Sequence, residues 1–454
     1  MDMRELLEAT AKRAASYHEN LDQRAVIPSA QALADLKRLD EPLPGRSTAP
    51  EEVLTLLDSL GSPATMATTG GRFFGFVTGG TLPAALVANW MAGAWDQNAA
   101  LIALSPIAAK LEEVAIRWLL DVLHLASQAG VGFVTCATAA NFTGLAAARH
   151  ALLDRVGWNV EAQGLFGAPP ITVIVGEEVH VSALKALSLL GLGRDRVVRV
   201  PVDSQGRMRT EALPVISGLT IVCLQAGNVN SGGFDPAREI CAKAHQAGAW
   251  VHVDGAFGLW TAASPQYAHL VDGVDEADSW ATDAHKWLNV PYDSGLAFCR
   301  DKSAMVAAMS TTAAYLVQAG DREPYQYTPD FSRRARGVEV WAALRSLGRE
   351  GLADLIARTC GYARQFADGL AKAGYHVLND VVINQVLVSF GDSETTRRVI
   401  ADLQADGTCW CGGTVWQGQT AMRISVSSWA TTPEDVAKSL DAMLRIAAKH
   451  RSAS

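Results

Sequence analysis

Short apolar runs alternate with helical segments through the middle of the chain. Between about residues 131 and 300 the runs read VGFVTCA, ITVIVGEE, DRVVRVPV, TIVCLQAG, WVHVDGAF and GLAFCR. Amphipathic stretches at residues 141–153, 183–190 and 236–247 separate several of them. This alternation predicts an α/β fold in which a doubly wound, mostly parallel sheet carries helices on both faces. Because ligands of such sheets bind at the carboxyl ends of the strands, we expect the chemistry just after each run.

The segments on either side have a different pattern. The first fifty residues predict two helices, at 3–20 and 30–37, in an arm with too little apolar surface to form its own core. Beyond about residue 335, a long helix, two strands (VVINQVLVSF and MRISVSS) and a last helix at 433–448 predict a smaller α+β unit. The predicted parts are an N-terminal helical arm (1–65), a large domain (66–335) and a small C-terminal domain (336–454).

The composition is that of an ordinary globular protein. Hydrophobic residues make up 49% of the 454 positions and charged residues 19%, which excludes disorder. A net charge of -8 without a long basic run argues against nucleic-acid binding. The N-terminus lacks the apolar core of a signal peptide, and no apolar stretch is long enough to span a bilayer. These features predict a cytoplasmic protein that binds neither nucleic acid nor membrane.

The cysteines give no indication of a metal site. All seven lack the spacing of metal ligands, and Cys409 and Cys411 form a lone C-x-C pair. We interpret that pair as packed, reduced thiols rather than as zinc ligands.

Polar residues of complementary types follow three of the predicted strands. HVDGAFG places Asp254 at the end of an apolar strand, where a buried carboxylate needs a cationic partner such as a protonated pyridine nitrogen. SWATDAHKW places Lys286 in apolar surroundings that favour a neutral, nucleophilic amine. FVTCATAANFTG places Thr135, Ala137 and Thr138 where a helix begins and could bind a phosphate. Each feature alone has an ordinary structural explanation, but together they predict pyridoxal 5'-phosphate (PLP) held as a Schiff base on Lys286.

Over nearly its whole length the chain resembles the pyridoxal-dependent (group II) amino-acid decarboxylases, which have the aspartate-aminotransferase fold. HVDGAFG and DAHKW form the most specific pair, with Asp254 and Lys286 thirty-two positions apart (286 minus 254). SPIAAKLEEVAIRWLL and SRRARGVEVWAALRSLG resemble the family's SPA-containing and double-arginine helices. VTCATAAN departs from the family's TSGG-S-EAN, with Cys136 and Ala137 in place of glycines and Ala139 in place of glutamate. The resemblance implies a PLP-dependent transferase-like fold and a homodimer formed through the N-terminal arm.

The resemblance also assigns roles to residues around the cofactor. Asp254 is expected to keep the pyridine nitrogen protonated, Ala256 to pack beneath the ring, and His180 to stack above it and contact the substrate carboxylate. Taken alone, His180 would be interpreted as a helix cap or a core histidine. Ser332 stands where the family often has a glycine that reaches the neighbouring subunit's phosphate. The other expected contacts to the ring hydroxyl and phosphate are Ala137, Thr138, Asn228, Asn230, Thr282 and His285.

The family takes a proton for the substrate carbon from a tyrosine on a mobile loop. Here that loop is TTAAYLVQAGDREPYQYTPDF, which contains Tyr315, Tyr325 and Tyr327. Counting back from Arg333 favours Tyr325, and Tyr327 is kept as the other candidate. Each of the three tyrosines could instead simply pack the loop against the body of the protein.

The substrate segment resembles that of decarboxylases for non-acidic amino acids. Phe76 and Thr78 in FFGFVTGGTLPAAL, with Trp95 nearby, favour an aromatic or other apolar side chain. Arg423 in MRISVSSW could form a salt bridge or hold a substrate α-carboxylate as in aminotransferases. The expectation is therefore a PLP-dependent carboxy-lyase that converts an L-amino acid into its amine and CO2. An aminotransferase, a carbon–sulfur lyase, an oxygen-using aldehyde-forming enzyme and a catalytically silent relative remain alternatives, although retention of Lys286 argues against the last.

Overall fold

The structure is a computed structural model that describes residues 1–311 and 322–451. Its helices are α1 (Met3–Glu19), α2 (Ala30–Asp35), α3 (Pro50–Leu56), α4 (Ser62–Ala64), α5 (Pro83–Trp95), α6 (Pro106–Val122), α7 (Ala137–Asp154), α8 (Val160–Gln163), α9 (Val181–Leu189), α10 (Ala237–Gln246), α11 (Lys302–Met309), α12 (Gly337–Lys372), α13 (Ser393–Asp406) and α14 (Pro433–Arg451). Its strands are β1 (Gly130–Val134), β2 (Thr172–Gly176), β3 (Val198–Val200), β4 (Thr220–Gln225), β5 (Trp250–Asp254), β6 (Ser279–Asp283), β7 (Gly295–Cys299), β8 (His376–Val377), β9 (Gln385–Ser389), β10 (Gly412–Trp416) and β11 (Gln419–Ser425).

A seven-stranded sheet in the order β1-β7-β6-β5-β4-β2-β3 forms the centre of the molecule. Strand β7 is antiparallel to both of its neighbours, and the other pairs are parallel. The predicted doubly wound, mostly parallel fold is confirmed. Parallel strands end at a common edge, so the residues that follow β2, β5 and β6 meet there.

The central strands are apolar on both faces because helices cover both sides of the sheet. In β5, Val251 and Val253 point into one apolar cluster, whereas Trp250 points into the cluster on the other face. By the two-residue period of a strand, His252 and Asp254 share the face of Trp250. Helix α7 lies on that face, packs against β5, β6 and β7, and begins at the carboxyl edge of the sheet.

A second sheet, β10-β11-β9-β8, is antiparallel throughout and packs with α12, α13 and α14. Helix α12 connects the two sheets and is interrupted at Gly348, whose φ of +60° favours glycine. The N-terminal arm contributes a small cluster in which Leu21 and Val26 pack with Phe73 and Trp410. The domain boundaries at residues 65 and 335 stay predictions. None of the helices in the described ranges is long and apolar enough to cross a membrane.

Candidate active site

Lys286 lies one turn beyond the end of β6, next to a carboxylate on the same segment. Its Nζ is 3.1 Å from Oδ2 of Asp283, and the lysine side chain is only 16% exposed. The other carboxylate oxygen, Oδ1, accepts a hydrogen bond of 2.5 Å from the backbone N–H of Ala137. Asp283 therefore joins the lysine to the N-terminus of α7. The sequence reading passed over Asp283, although it lies three residues before the lysine.

The first turn of α7 offers further backbone donors to a ligand. The N-cap residue Cys136 makes no side-chain hydrogen bond to this helix, and beyond the bond from Ala137 to Asp283 the N–H groups of Thr138 and Ala139 have no acceptor within residues 1–311 and 322–451. Free N–H groups at a helix N-terminus bind phosphate. The alanine and cysteine side chains that replace the family's glycines leave this end of the helix available.

Asp254 is buried at the end of β5, where it accepts hydrogen bonds from Asn141 and Ala256 and lies beside the Ser182 hydroxyl. Asn141 Nδ2 donates to Oδ2 at 2.9 Å, Ser182 Oγ lies 3.2 Å from the same oxygen, and the N–H of Ala256 donates to Oδ1 at 3.2 Å. Among the residues described, no cationic side chain pairs with this carboxylate. A buried carboxylate with donors but no cation suits the nitrogen of a pyridinium ring.

His180 forms the N-cap of α9, directly after β2, and faces Asp254 across Ser182. Its Nδ1 lies 2.7 Å from Ser182 Oγ and accepts from the Ser182 N–H at 3.2 Å. Burial lowers the pKa of His180, while Asp254 acts in the opposite direction. The imidazole is therefore neutral at neutral pH, with Nε2 as its protonated nitrogen. A capping role and a site role are both fulfilled by this one histidine.

His285 and Tyr292 form a second pair beside the lysine. Nδ1 of His285 accepts from the backbone N–H of Ser294 at 3.1 Å, and the imidazole ring packs on Tyr292 with centroids 4.3 Å apart. Nε2 of His285 lies 3.6 Å from Asp283, and burial lowers the pKa of the histidine. Burial raises the pKa of Tyr292, and the side chain of Thr78 acts in the opposite direction. Tyr292 was not identified from the sequence, because the DAHKW motif does not indicate that the loop after it folds back and packs Tyr292 against His285.

The segment around Phe76 passes directly over the lysine. A Cβ at Gly79 would lie 1.6 Å from the carbonyl oxygen of Lys286, so only glycine fits this approach. Phe76 and Val77 have φ of 54° and 61°, a left-handed conformation that is unfavourable for such side chains. Strained backbone of this kind is concentrated at functional sites.

Aromatic rings form a wall next to this segment. Trp410 stacks on Phe73 at 5.1 Å and on Phe76 at 5.2 Å between ring centroids, and Phe76 itself is 65% exposed. Trp410 comes from the small C-terminal domain and was not predicted. Trp95, which the sequence suggested for the pocket, lies at the end of α5 and has no ring contact with this wall in the described part of the chain.

Arg423 is brought close to the catalytic groups by β11. Its Nη1 donates to Oδ1 of Asn230 at 3.3 Å, and Thr414 donates to the same oxygen at 3.0 Å. Burial lowers the pKa of Arg423, and its charge in turn lowers the pKa of His180. No carboxylate in the described ranges pairs with this arginine, so the structure does not contain the salt bridge considered from the sequence.

The remaining residues predicted to contact the cofactor differ in their surroundings. Ala256 and Thr282 lie at the site, with Thr282 Oγ1 3.4 Å from the Ala256 carbonyl. Asn228 Oδ1 accepts from the N–H groups of Asn230 and Ser231, and its buried Nδ2 has no partner in the described structure. Ser332 is exposed and accepts from Asn98 at 3.3 Å.

The loop tyrosines are not brought to Lys286. Tyr325 is buried against Ala100, Leu101 and Phe331, and Tyr327 is buried in the core beside the first half of β1. These contacts are all made within one chain, and a role for Tyr325 or Tyr327 as proton donor stays a prediction. Tyr315 lies outside the described residues.

The residues present fit PLP. Lys286 can carry the aldehyde carbon, Asp254 can pair with the ring nitrogen, and the free N–H groups of Thr138 and Ala139 with His285 can bind the phosphate. A lysine and a buried aspartate at the strand ends of this fold define a PLP-dependent enzyme.

Comparison with known proteins gives the family. Residues 47–391 match the model of the pyridoxal-dependent decarboxylase conserved domain. The chain is 25% identical to tryptophan decarboxylase 1 of Oryza sativa subsp. japonica over 94% of its length and 90% of that protein. It is 33% identical to aspartate 1-decarboxylase of Aliivibrio fischeri over 54% of its length and 48% of that protein. A crystal structure of Oryza sativa TDC with PLP and tryptamine superimposes with a TM-score of 0.90, at 22% identity and over 99% and 98% of the two chains.

The chain belongs to the pyridoxal-dependent decarboxylase family and is a PLP-dependent amino-acid decarboxylase. The family resemblance read from HVDGAFG and DAHKW is thereby confirmed, as are the fold and the cofactor.

Proposed function

We propose that this decarboxylase acts on an aromatic or other non-acidic L-amino acid and releases the amine and CO2. The observation that carries the proposal is the stack of Phe73 and Phe76 with Trp410, on the segment that also packs Gly79 against the carbonyl oxygen of Lys286. Stacked rings with one exposed face bind a flat apolar side chain, and aromatic pairs contribute about 0.5–1.5 kcal/mol beyond the buried area. Similarity to a tryptophan decarboxylase over nearly the whole chain supports the same class of substrate.

Asp283 and His180 have separate roles in proton transfer and in substrate binding. When bound, PLP supplies an electron sink for the bond that breaks at the substrate α-carbon. Oδ2 of Asp283 can accept the proton that Lys286 must lose before its amine becomes nucleophilic. Neutral His180 presents Nε2–H to the substrate carboxylate without adding a positive charge that would hold that group in place. The donor to the α-carbon stays a prediction; among described tyrosines, Tyr292 contacts the site through His285.

An acidic substrate is the second candidate, and Arg423 favours it. A buried guanidinium without a carboxylate partner would gain one by binding a substrate carboxylate. The similarity to an aspartate 1-decarboxylase points in the same direction.

A competition assay separates the two candidates. The enzyme is given an equimolar mixture of tryptophan, tyrosine, phenylalanine, aspartate, glutamate and cysteine sulfinate, and each amine is quantified. We expect aromatic amines to dominate, and Trp410→Leu to raise KM for the aromatic substrates more than for any other. If an acidic substrate dominates, and Arg423→Gln rather than Trp410→Leu removes that preference, the acidic candidate replaces this proposal.

We further propose a homodimer with shared sites. Leu7 on α1 and Val87, Trp90 and Met91 on α5 are each at least 41% exposed in the single chain, more apolar surface than these helices can leave in water. A second copy would cover this surface and bring its exposed Ser332 towards the neighbouring site. The cytoplasmic location stays a prediction.

Mixing two inactive variants tests the shared site. Lys286→Ala and Ser332→Asp chains should form hybrids in which one of the two sites carries neither change, so activity returns. Each variant is first sized by sedimentation to show that it pairs normally. Hybrids without activity would show that Ser332 does not serve the partner's site.

A further inference from the structure

A chain of hydrogen bonds runs from Asp254 into the core, on the side away from the ligand-binding edge. Asn141 Nδ2 donates to Asp254 at 2.9 Å, and Asn141 Oδ1 lies 2.8 Å from His252 Nε2. His252 Nδ1 lies 2.8 Å from Ser279 Oγ, which also accepts from the indole N–H of Trp250 at 2.9 Å. Asn141, His252 and Ser279 are fully buried and Trp250 nearly so.

The secondary structure explains how these groups meet. Trp250, His252 and Asp254 alternate along β5 and therefore point to one face. The parallel register places Ser279 of β6 beside His252. Helix α7 supplies Asn141 above them.

The direction of every proton in the chain is determined. An indole nitrogen can only donate, so Ser279 Oγ accepts from Trp250; a carboxylate can only accept, so Asn141 turns its carboxamide N–H to Asp254 and its oxygen to His252 Nε2. Burial lowers the pKa of His252 to about 4, which keeps the imidazole neutral. Its single proton is then on Nε2 and is donated to Asn141 Oδ1. The carboxamide nitrogen of Asn141 is the group left to face Asp254.

We propose that His252, held by Ser279 and Trp250, is a positioning residue for the cofactor: it fixes the Asn141 carboxamide so that Asp254 always receives a donor. Without His252, Asn141 Oδ1 would be buried without a donor, and the carboxamide would no longer be held at the position from which it donates to Asp254. The imidazole acts through Asn141 and touches neither substrate nor cofactor.

The packing leaves the imidazole no other position. A Cβ at Gly144, one turn beyond Asn141 on α7, would lie 2.8 Å from His252 Cε1 and 2.9 Å from Nδ1. Because Gly144 has no side chain, helix α7 packs directly against the imidazole ring of His252. The close approach of α7 therefore serves the same orientation as the hydrogen bonds.

Cofactor binding to a matched set of variants tests the proposal. Holoenzyme is stripped and retitrated with PLP, and Kd and the pH dependence of the visible absorbance of the bound cofactor are measured. In His252→Leu we expect the affinity for PLP to fall about ten- to a hundredfold, which is the effect of losing one oriented hydrogen bond to a charged group. The pH dependence of the cofactor absorbance should also shift. In His252→Gln, the side-chain N–H can still donate to Asn141, so most of the affinity should return.

A second pair of variants covers the case in which His252→Leu does not fold. Ser279→Ala removes the group that orients the imidazole, whereas Thr143→Val removes another buried hydroxyl, from α7, whose single hydrogen bond within the described residues goes to the Ala139 carbonyl. Ser279→Ala should bind PLP more weakly than Thr143→Val, and the absorbance profile should shift only in Ser279→Ala. The proposal is overturned if folded His252→Leu binds PLP like the wild type, if His252→Gln is as impaired as His252→Leu, or if the serine and threonine variants bind equally. The test does not depend on which amino acid is the substrate.

Discussion

Acidification should destabilise the protein through His252, and the size of the effect follows from its burial. The pKa of His252 is lowered from an ordinary value of 6.5 to about 4. Between these values the unfolded chain binds a proton and the folded chain does not, so stability falls as the pH drops through this window. At pH 5 the loss relative to pH 7.5 is RT ln[(1 + 10^1.5)/(1 + 10^-1)], about 2 kcal/mol.

Urea unfolding of cofactor-free wild type and His252→Gln, at pH 7.5 and pH 5 and one protein concentration, isolates this contribution. The wild type should lose about 2 kcal/mol more than the variant on acidification. Burial raises the pKa of Asp235 to about 6, so that group stabilises the folded state as the pH falls, but it is present in both proteins and cancels. Equal losses in the two proteins would refute the neutral, buried imidazole on which the proton directions depend.

Three further outcomes are expected. Borohydride should trap PLP on one peptide containing Lys286, and Lys286→Ala should lose the trapped label; a label on another lysine contradicts the assignment. Arg423→Gln should raise KM for aspartate and glutamate by about tenfold or more while leaving KM for aromatic substrates and the cofactor absorbance unchanged, because one charge-assisted hydrogen bond to a side-chain carboxylate is lost; an altered spectrum would place Arg423 at the cofactor instead. Tyr325→Phe should still form amine, because its side chain is packed away from Lys286; aldehyde and ammonia from this variant would show that the loop rearranges to supply the proton.

The central sheet could be predicted from the sequence because its strands are short apolar runs separated by amphipathic helices. Strands β5 and β6 and helices α7 and α10 lie close to their predicted positions. The antiparallel direction of β7 was not predicted, since an apolar run does not encode strand direction. Strands β8 and β10 were missed: β8 spans only two residues, and β10 begins with a glycine pair and is largely exposed.

The candidate site was predictable where a residue sits inside a motif. Lys286, Asp254, His180 and the start of α7 needed only strand ends and the family resemblance. The stacking of Trp410 on Phe73 and Phe76 could not be predicted, because these residues are more than 300 positions apart in the sequence (410 minus 76 is 334). The role of the tyrosines after the loop stays a prediction, because counting positions from an arginine cannot show whether a side chain turns towards the site or towards the core.

The buried groups behind the site carried a weak signal in the sequence. His252 is two residues before Asp254 and therefore shares its face of β5, and Asn141 lies one turn into α7. Only the register between β5 and β6 reveals that Ser279 lies beside His252, and that register depends on the whole sheet.

Product stoichiometry tests the central claim most directly. The holoenzyme is incubated with an aromatic L-amino acid, and CO2, amine, ammonia and aldehyde are each quantified, with Lys286→Ala as the control. Our account predicts one amine for each CO2, little ammonia or aldehyde, and no product from the control. Ammonia with aldehyde in place of amine, or amino-group transfer without CO2, would contradict it.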